Sequence, residues 1–303
     1  MLTLKQGATV VSTTNVSGQS TTTQAITGLT ASTAYTYTIQ ANSGTGLSAV
    51  SNSISISTSS AVVVNGGMVT TLAGGTSSGY GTGTAAQFSN PQGVAVDSLA
   101  LGNNIYVADK NNHKIRKITS GGVVTTLAGS LTNISGSADN AIGTDASFNY
   151  PYGVAVDSSG NVYVADVVNN KIRKIANDAN HTVTTIAGAG NGYADGNGTA
   201  AQFNYPQGLA VDSSGNVYVA DTINHKIRKI ANDATHTVST ITGTTGIGNG
   251  VNGDSSGYLD GNGTAAQFNN PQGVSVDSSG NVYVADTYNH KIRKIANDAN
   301  NTV

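Results

Sequence analysis

The sequence lacks cysteine, tryptophan and glutamate, and it holds only four prolines and four phenylalanines among its 303 residues. Without cysteine the chain can form neither a disulfide nor a thiolate metal site. Without glutamate, and with glycine, serine, threonine and asparagine abundant, it has few strong helix formers and many residues suited to strands and turns. The composition therefore predicts an all-β protein.

Charge of either sign is also scarce. The chain has 14 basic and 16 acidic residues, and its formal net charge is -2. Such a balance gives no electrostatic drive toward nucleic acid or anionic lipid. No run of residues is long and apolar enough to cross a membrane or to act as a signal peptide. We therefore expect no nucleic-acid partner and no membrane insertion.

The few phenylalanines and prolines mark an internal repeat. The phenylalanines stand at positions 88, 148, 203 and 268, and each is followed three residues later by a proline. The spacing between successive prolines is 60, 55 and 65 residues. Periods of this length are typical of propellers and solenoids rather than of an ordinary mixed domain.

One copy of the repeat predicts four short antiparallel strands. In the third copy these are residues 206–211, 217–220, 225–230 and 236–241, separated by turns rich in Asp, Asn and Gly. The apolar residues of such a sheet fall on both of its faces, so the sheet must pack between two similar sheets. The repeat therefore predicts a propeller of four-stranded antiparallel blades.

A helical turn is predicted before each phenylalanine. Residues 84–87, 199–202 and 264–267 all read Thr-Ala-Ala-Gln, which matches a capping box. Residues 144–147 read Thr-Asp-Ala-Ser and should cap less well.

The repeat resembles a known family. Residues 271–295, PQGVSVDSSGNVYVADTYNHKIRKI, closely resemble the NHL repeat, and the four copies cover nearly all of residues 67–303. The resemblance implies a β-propeller, which in this family most often has six blades. Four copies depart from that number. Either a fourth-strand sequence at Met68–Ala73 pairs with residues 290–295 and closes a ring of four, or the chain is part of a longer propeller.

The first 58 residues have a different pattern. Alternating apolar residues predict strands at 34–41 and 51–58, joined as a hairpin. Residues 28–58 resemble the second half of a fibronectin type III domain, with Leu29 and Tyr35 at the spacing of that family's tyrosine corner. This resemblance implies a partial β-sandwich over residues 1–58, completed by chain outside this sequence or by a second chain that makes a homo-oligomer. Residues 59–66 then form a linker.

Twelve of the fourteen basic residues lie in four Lys-Ile-Arg-Lys tetrads. One interpretation is an RNA-binding surface. The other, which we favour, is that these cations alternate with isoleucine along a strand and pair with the aspartates that recur in neighbouring strands.

The repeat also carries histidines and aspartates at fixed positions. A metal or catalytic site is one interpretation of the histidines, but equivalent residues of successive blades point in rotated directions. We therefore predict no metal site and a structural hydrogen bond from each histidine to an aspartate. The structural positions are Asp109, Asp166, Asp221, Asp286, His113, His225 and His290, with Asn170 in place of the fourth histidine.

The Gly-rich loops that lead into the blades are the predicted binding surface. Two of them read Asp-Gly-Asn-Gly-Thr, which resembles part of a calcium loop but lacks its bidentate Glu. We expect no cofactor beyond weak Ca²⁺ binding. The candidate ligand-binding residues are Tyr193, Asp195, Asn197, Tyr258, Asp260 and Asn262.

No Ser-His-Asp set, catalytic carboxylate pair or phosphate loop stands apart from the repeat, and the last two copies are nearly the same. Similar blades favour a repeated binding surface over a single catalytic centre. The sequence predicts an extracellular or cell-surface binding or scaffold protein with a protein or carbohydrate ligand. The alternative that the resemblance implies is a metal-dependent lyase or a lactonase-like hydrolase.

Overall fold

The chain divides into two compact units, Met1–Thr70 and Thr71–Val303. The computed structural model describes the backbone of residues 2–6, 9–14, 34–39 and 54–57, together with residues 70–75, 77–83, 85–244 and 256–303. The predicted linker at residues 59–66 lies outside the described residues.

The described residues of the first unit form one antiparallel sheet. Its strands are β1 (Leu2–Gln6), β2 (Thr9–Thr14), β3 (Ala34–Ile39) and β4 (Ile54–Ser57). They lie in the order β2-β1-β3-β4. The pairing of β3 with β4 is antiparallel, with Tyr37 opposite Ile54, which confirms the predicted hairpin.

The second unit consists of four antiparallel sheets, which are the blades of a β-propeller. Blade 1 holds β5 (Pro91–Val96), β6 (Ile105–Asp109), β7 (Lys114–Ile118) and β8 (Val124–Ala128). Blade 2 holds β9 (Pro151–Val156), β10 (Val162–Asp166), β11 (Lys171–Ile175) and β12 (Val183–Ala187). Blade 3 holds β13 (Gly196–Asn197), β14 (Pro206–Val211), β15 (Val217–Asp221), β16 (Lys226–Ile230) and β17 (Thr237–Thr242). Blade 4 holds β18 (Pro271–Val276), β19 (Val282–Asp286) and β20 (Lys291–Ile295).

The order of strands within a blade follows the order of the chain. Each repeat proline opens the innermost strand, where its missing N–H costs no ladder hydrogen bond within the sheet. The inner strands of consecutive blades contact each other, β5 with β9, β9 with β14 and β14 with β18. The loop that precedes each blade returns to that blade's outer strand, as β13 pairs with β17 in blade 3 and Asn262 bridges to Thr302 in blade 4.

The hydrophobic core lies between the blades. Between blades 2 and 3, the buried side chains of Tyr163 and Ile172 pack with Phe203, Leu209 and Val217. Equivalent clusters join blade 1 to blade 2 and blade 3 to blade 4. Blades 2 and 3 therefore bury both of their faces by packing between two other blades, as the two-sided apolar pattern of the repeat predicts.

Each turn between the first and second strands is held by an aspartate. In blade 3, Asp212 Oδ1 accepts the backbone N–H groups of Ser214 and Asn216, and its Oδ2 accepts the Tyr218 hydroxyl at 3.2 Å. Burial and the neighbouring Asp212 carboxylate raise the pKa of Tyr218 to about 12. The turn chemistry that the Asp-Ser-Ser-Gly-Asn sequence predicts is confirmed.

The helical turns before the phenylalanines are single 3-10 turns at Gly143–Asp145, Gly198–Ala200 and Gly263–Ala265. A turn at this place was predicted and is confirmed in these three copies, whereas the predicted capping boxes are wrong. Thr84 of the first copy lies outside the described residues. Each turn begins at glycine rather than after threonine, and none of the three receives a side-chain cap hydrogen bond. The turn that was expected to cap less well forms like the other two. Within the described residues no helix has the length and apolar character of a membrane span.

The predicted ring closure is not formed by the described part of Met68–Ala73. Residues 70–73 form no strand. Ala73 packs in a cluster with Ala86 and Phe88, as Ala128 packs with Ala146 and Phe148 between blades 1 and 2. The four blades form an arc rather than a closed ring.

Candidate functional site

A buried ion pair joins the second and third strands of every blade. In blade 3, Asp221 Oδ2 accepts Arg228 Nη1 at 2.8 Å and Asn224 Nδ2 at 2.8 Å, while its Oδ1 accepts the backbone N–H of Asn204. Both Asp221 and Arg228 are fully buried. The equivalent pairs are Asp109–Arg116, Asp166–Arg173 and Asp286–Arg293. The predicted pairing of the tetrad cations with recurring aspartates is confirmed for the arginines.

The arginine of the pair also reaches the loop that leads into its blade. Arg228 Nη2 donates to Asp195 Oδ1 at 2.6 Å, and Asp195 Oδ2 accepts the backbone N–H of Thr240 at 3.0 Å. In blade 4, Arg293 Nη2 donates to Asp260 Oδ1 at 2.6 Å. Both candidate binding aspartates therefore make an internal bond between loop and sheet, and their role in ligand binding stays a prediction.

The other candidate loop residues also contact their own blade. The Tyr193 ring lies under the Lys226 ammonium, 4.4 Å from ring centroid to Nζ, and the Tyr258 ring lies 4.8 Å from Lys291 Nζ. Asn197 pairs by its backbone with the outer strand. Asn262 accepts the Thr302 hydroxyl at 3.1 Å. The structure thus brings these six residues to the loops as expected and gives each of them a contact within its blade.

Burial sets the electrostatics of these networks. Burial lowers the pKa of Lys226 to about 8, against the opposing effect of Asp221. Burial raises the pKa of Asp166 to about 6, because the hydrogen bonds from Asn169 and the nearby Arg173 offset only part of the desolvation. The contact between Arg173 Nη1 and Asp166 Oδ2, at 2.9 Å, has the geometry of an ion pair. Within the described residues, no three His or Asp side chains converge as metal ligands do.

The repeat histidines join one blade to the next. His113 Nδ1 accepts the backbone N–H of Tyr150 at 3.1 Å, and His225 Nδ1 accepts that of Asn270 at 2.9 Å. Asn170 Oδ1 accepts the N–H of Tyr205 at 2.8 Å in the same way. The predicted histidine–aspartate bond is therefore wrong. The side chain that binds the aspartate is the preceding asparagine, and the histidine faces the following blade.

This geometry explains why either histidine or asparagine can occupy this repeat position, since the imidazole Nδ1 and the amide Oδ1 can both accept the N–H of the following blade. Burial and the neighbouring Lys114 lower the pKa of His113, which keeps its Nδ1 free to accept at neutral pH. His290 ends the series, and its side chain forms no hydrogen bond with the described residues.

Replacement of His225 by asparagine is expected to leave the free energy of unfolding nearly unchanged, because the blade 2 junction already uses asparagine. Replacement by alanine leaves the Asn270 N–H without its acceptor and should cost about 1–2 kcal/mol. Urea unfolding measures both, and His290→Ala is the matched control that should change nothing. An equal loss in His225→Asn and His225→Ala would contradict the junction role.

The residue before each inner-strand proline has a left-handed backbone. The φ angles are 53° at Asn90, 55° at Tyr150, 53° at Tyr205 and 47° at Asn270. Asparagine tolerates this conformation, whereas a bulky residue there is an outlier that costs of order 1–3 kcal/mol. Blades 2 and 3 therefore carry a strained tyrosine where blades 1 and 4 carry a residue suited to the turn.

These tyrosines lie beside exposed apolar residues of the loop between the second and third strands. Val168 donates its backbone N–H to Asn149, and Ile223 donates to Asn204, so each loop sits directly against the residue before a strained tyrosine. We name the exposed set on this side of the propeller the upper-face patch: Tyr150, Val168, Tyr205, Ile223 and Tyr288. Its two strained members, Tyr150 and Tyr205, are 39% and 43% exposed.

Sequence reasoning missed the upper-face patch. Its members occupy repeat positions, which made them resemble blade residues. The sequence signal that could have revealed it is the residue before the repeat proline, which is Asn in the first and last copies and Tyr in the other two. The backbone geometry at that position favours Asn.

Comparison with known proteins agrees with the repeat. The NHL repeat model matches residues 88–118, 148–175, 203–230 and 268–295, which are the four copies defined by their phenylalanines. No support was found for the fibronectin type III resemblance of the first unit.

Several relatives share the repeats. Protein SUPPRESSOR OF QUENCHING 1, chloroplastic, of Arabidopsis thaliana is 32% identical over 49% of this chain and 14% of its own length. NHL repeat-containing protein 2 of Bos taurus is 34% identical over 51% of this chain and 22% of its own length. The chain thus spans less than a quarter of either relative.

Among solved structures, an auxiliary nutrient binding protein from Bacteroides thetaiotaomicron superposes with a TM-score of 0.52 at 22% identity. The superposition covers 70% of this chain and 49% of that one, and it concerns the fold alone. The four matched segments coincide with the inner three strands of the four blades. Residues 88–295 therefore form a β-propeller built of NHL repeats.

Proposed function

We propose that this propeller is a binding module that holds a protein partner on its upper-face patch. The observation that carries the proposal is the backbone of Tyr150 and Tyr205, which is left-handed at a position where Asn90 and Asn270 show that asparagine suffices. A strained bulky residue persists when its side chain has a task, and the observed strain supports a functional role. Both rings are partly open to solvent.

The chemistry of the patch favours a protein over a charged ligand. Its members are aromatic or aliphatic, and exposed apolar clusters of this kind mark protein interaction sites.

The wider surface and location are parts of the same proposal. The loop residues Tyr193, Asp195, Asn197, Tyr258, Asp260 and Asn262 would form the rim of the binding surface. The protein would act outside the cell or on its surface, with no cofactor beyond weak Ca²⁺. Residues 1–58, as part of a fibronectin-like sandwich, would add a route to self-assembly. Light scattering of the chain with and without residues 1–58 tests that route.

An enzyme of the lyase or lactonase type is the competing class. Catalysis would require a blade whose polar residues are not engaged in structural hydrogen bonds. The buried aspartate of every blade instead forms an ion pair with its arginine. Metal analysis of the purified chain separates the classes. Tight stoichiometric Zn²⁺ or Ca²⁺ would favour the enzyme.

The patch is tested with peptides selected from a displayed random library on the immobilised chain. Tyr150→Asn/Tyr205→Asn should weaken a selected peptide at least tenfold, because central tyrosines contribute about 2 kcal/mol or more to protein interfaces. The same variant should be as stable as the original chain or more so, since it relieves backbone strain at two turns. Anisotropy titration and urea unfolding give the two measurements.

The control for this experiment is Val123→Asn, an exposed apolar residue in the turn between β7 and β8, at the opposite end of the strands from the patch. Peptides that bind the double variant and the original chain equally would contradict the proposal. If the chain bound selected glycans on an array and the double variant did not, the ligand of the patch would be a carbohydrate rather than a protein.

A further inference from the structure

The junction between blades 1 and 2 differs from the other two junctions on its upper side. The residue after the buried aspartate is Lys110 in blade 1, whereas the later blades have valine or threonine there. The residue after the repeat proline is Tyr152 in blade 2, whereas the other three blades have glutamine. Both departures from the repeat fall at one junction, which points to a task of that junction rather than of the blade architecture.

The side chain at this position reaches the inner strand of the following blade. In blade 3 the equivalent Thr222 donates its hydroxyl to the carbonyl oxygen of Pro271 at 2.9 Å. In blade 1, Lys110 Nζ lies 5.9 Å from the ring centroid of Tyr150 and 5.4 Å from that of Tyr152. These two tyrosines precede and follow the repeat proline of blade 2, so the ammonium lies at the start of the inner strand beside both rings.

The Lys110 ammonium has three donors and no acceptor. No described residue accepts a hydrogen bond from Lys110 Nζ or forms an ion pair with it. The adjacent carboxylate of Asp109 is fully buried and already accepts hydrogen bonds from Arg116 and Asn112. The two rings attract the cation, but at more than 5 Å from their centroids they leave its N–H groups available to a ligand.

Further donors surround the Tyr150 ring. His113 lies edge to face with this ring, with 4.7 Å between the two centroids. Its Nδ1 accepts the Tyr150 N–H, so the neutral imidazole carries its proton on Nε2 and can donate it. Neither that N–H group nor the hydroxyls of the two tyrosines form a hydrogen bond with a described residue. We name Lys110, His113, Tyr150 and Tyr152 the Lys110 cluster, which presents a cation and several donors without a carboxylate of its own.

The Lys110 cluster lies where the upper-face patch ends, and Tyr150 belongs to both. In the loop between the second and third strands, the patch residue of blades 2, 3 and 4 is apolar, whereas blade 1 has the exposed Asn111 at that position. Protein interfaces commonly surround an apolar centre with a polar rim. The cluster is therefore a positively charged edge of the proposed binding surface.

We propose that the Lys110 cluster binds the carboxylate of an aspartate or glutamate side chain in the protein partner whose apolar residues cover the upper-face patch. The inference rests on the proposed function and adds the charge of the partner to it. One carboxylate oxygen accepts a charge-assisted hydrogen bond from Lys110 Nζ, and the group has a second oxygen to accept His113 Nε2–H. The tyrosine rings reduce the access of water to this contact, which strengthens it.

Anisotropy titration of the library-selected peptides, made with an amidated C-terminus, tests the proposal. We expect an Asp or Glu in the selected sequences, and its replacement by Asn or Gln should weaken binding about tenfold, as loss of one charge-assisted hydrogen bond does. Lys110→Thr, which gives blade 1 the residue of blade 3, should bind the acidic and amide peptides equally. Lys117→Thr, at the opposite end of blade 1, is the matched control and should keep the tenfold preference.

Charge reversal separates recognition of the carboxylate from a structural role of Lys110. Lys110→Glu should prefer a peptide whose acidic residue is replaced by Lys, and circular dichroism establishes that each variant is folded. Selected peptides without an acidic residue, or a preference for the carboxylate that persists in Lys110→Thr, would overturn the inference. If Tyr150→Asn/Tyr205→Asn still lost binding, the proposed function would stand without it.

Two further outcomes are decisive. Peptides that bind the double tyrosine variant and the original chain equally would remove the proposed function and this inference together. Binding of a single-stranded RNA oligonucleotide that Lys110→Thr abolishes, with no acidic preference among the peptides, would assign the cation to a phosphate and overturn the acidic protein segment.

Discussion

Replacement of Arg228 by alanine is expected to destabilise the propeller by about 3–5 kcal/mol, the usual cost of removing one member of a buried pair. The loss goes beyond one ion pair. Arg228 also donates to the carbonyl oxygens of Gln202 and Ala194 and to Asp195 in the loop. Its removal would leave the buried Asp221 carboxylate without its cation.

The guanidinium is required for its shape as well as its charge. Its donors reach two carboxylates and two carbonyl groups in different directions, and its Cζ lies 5.0 Å from the centroid of the Phe203 ring. A lysine ammonium cannot span these partners, so Arg228→Lys should also lose most of the stabilisation. Lys229→Ala, in the same strand but partly exposed, is the control and should cost less than about 1 kcal/mol.

Urea unfolding followed by circular dichroism measures these free energies. A loss below about 1 kcal/mol in Arg228→Ala would mean that water reaches Asp221 once the arginine is gone, and that the pair does not hold the blade together. Because every blade repeats the pair, the same substitution at Arg173 should have a similar effect.

The fold could be predicted from sequence because it depends on local patterns that recur four times. The strands, the aspartate turns and the two-sided burial of each blade follow from alternation and turn chemistry in a single copy. Pairing of the tetrad cations with aspartates followed from the aspartates that recur in the neighbouring strands of every copy. These features repeat, so each copy supports the interpretation of the others.

The candidate site was harder to predict because its determinants join different blades. His225 bonds to a residue 45 positions later in the chain, and nothing in its own copy indicates that partner. The strain at Tyr205 comes from its positive φ angle. Asparagine and tyrosine both adopt that angle before the repeat proline, so the residue type alone does not reveal it.

The spacing of the blades rests on a glycine in each inner strand, and Gly208→Ala is expected to destabilise the chain by about 1–3 kcal/mol or more, the cost of overpacking a close contact. The added methyl would collide with the Gln272 carbonyl oxygen and lie 3.0 Å from the Val274 nitrogen, both of them backbone atoms of blade 4. A backbone cannot rotate away as a flexible side chain can. Blades 3 and 4 would have to separate, and the apolar cluster between them would lose contacts.

Gly273→Ala is the matched control because it makes the same change at the same repeat position, where the structure places no following blade. Its new methyl would meet only Ala285 Cβ within 4 Å, so its unfolding free energy should change by less than about 0.5 kcal/mol. Urea unfolding measures the free energy of unfolding of both variants. A similar loss for both would place the requirement for glycine within the strand itself, whereas a loss confined to Gly208 would place it in the contact between neighbouring blades.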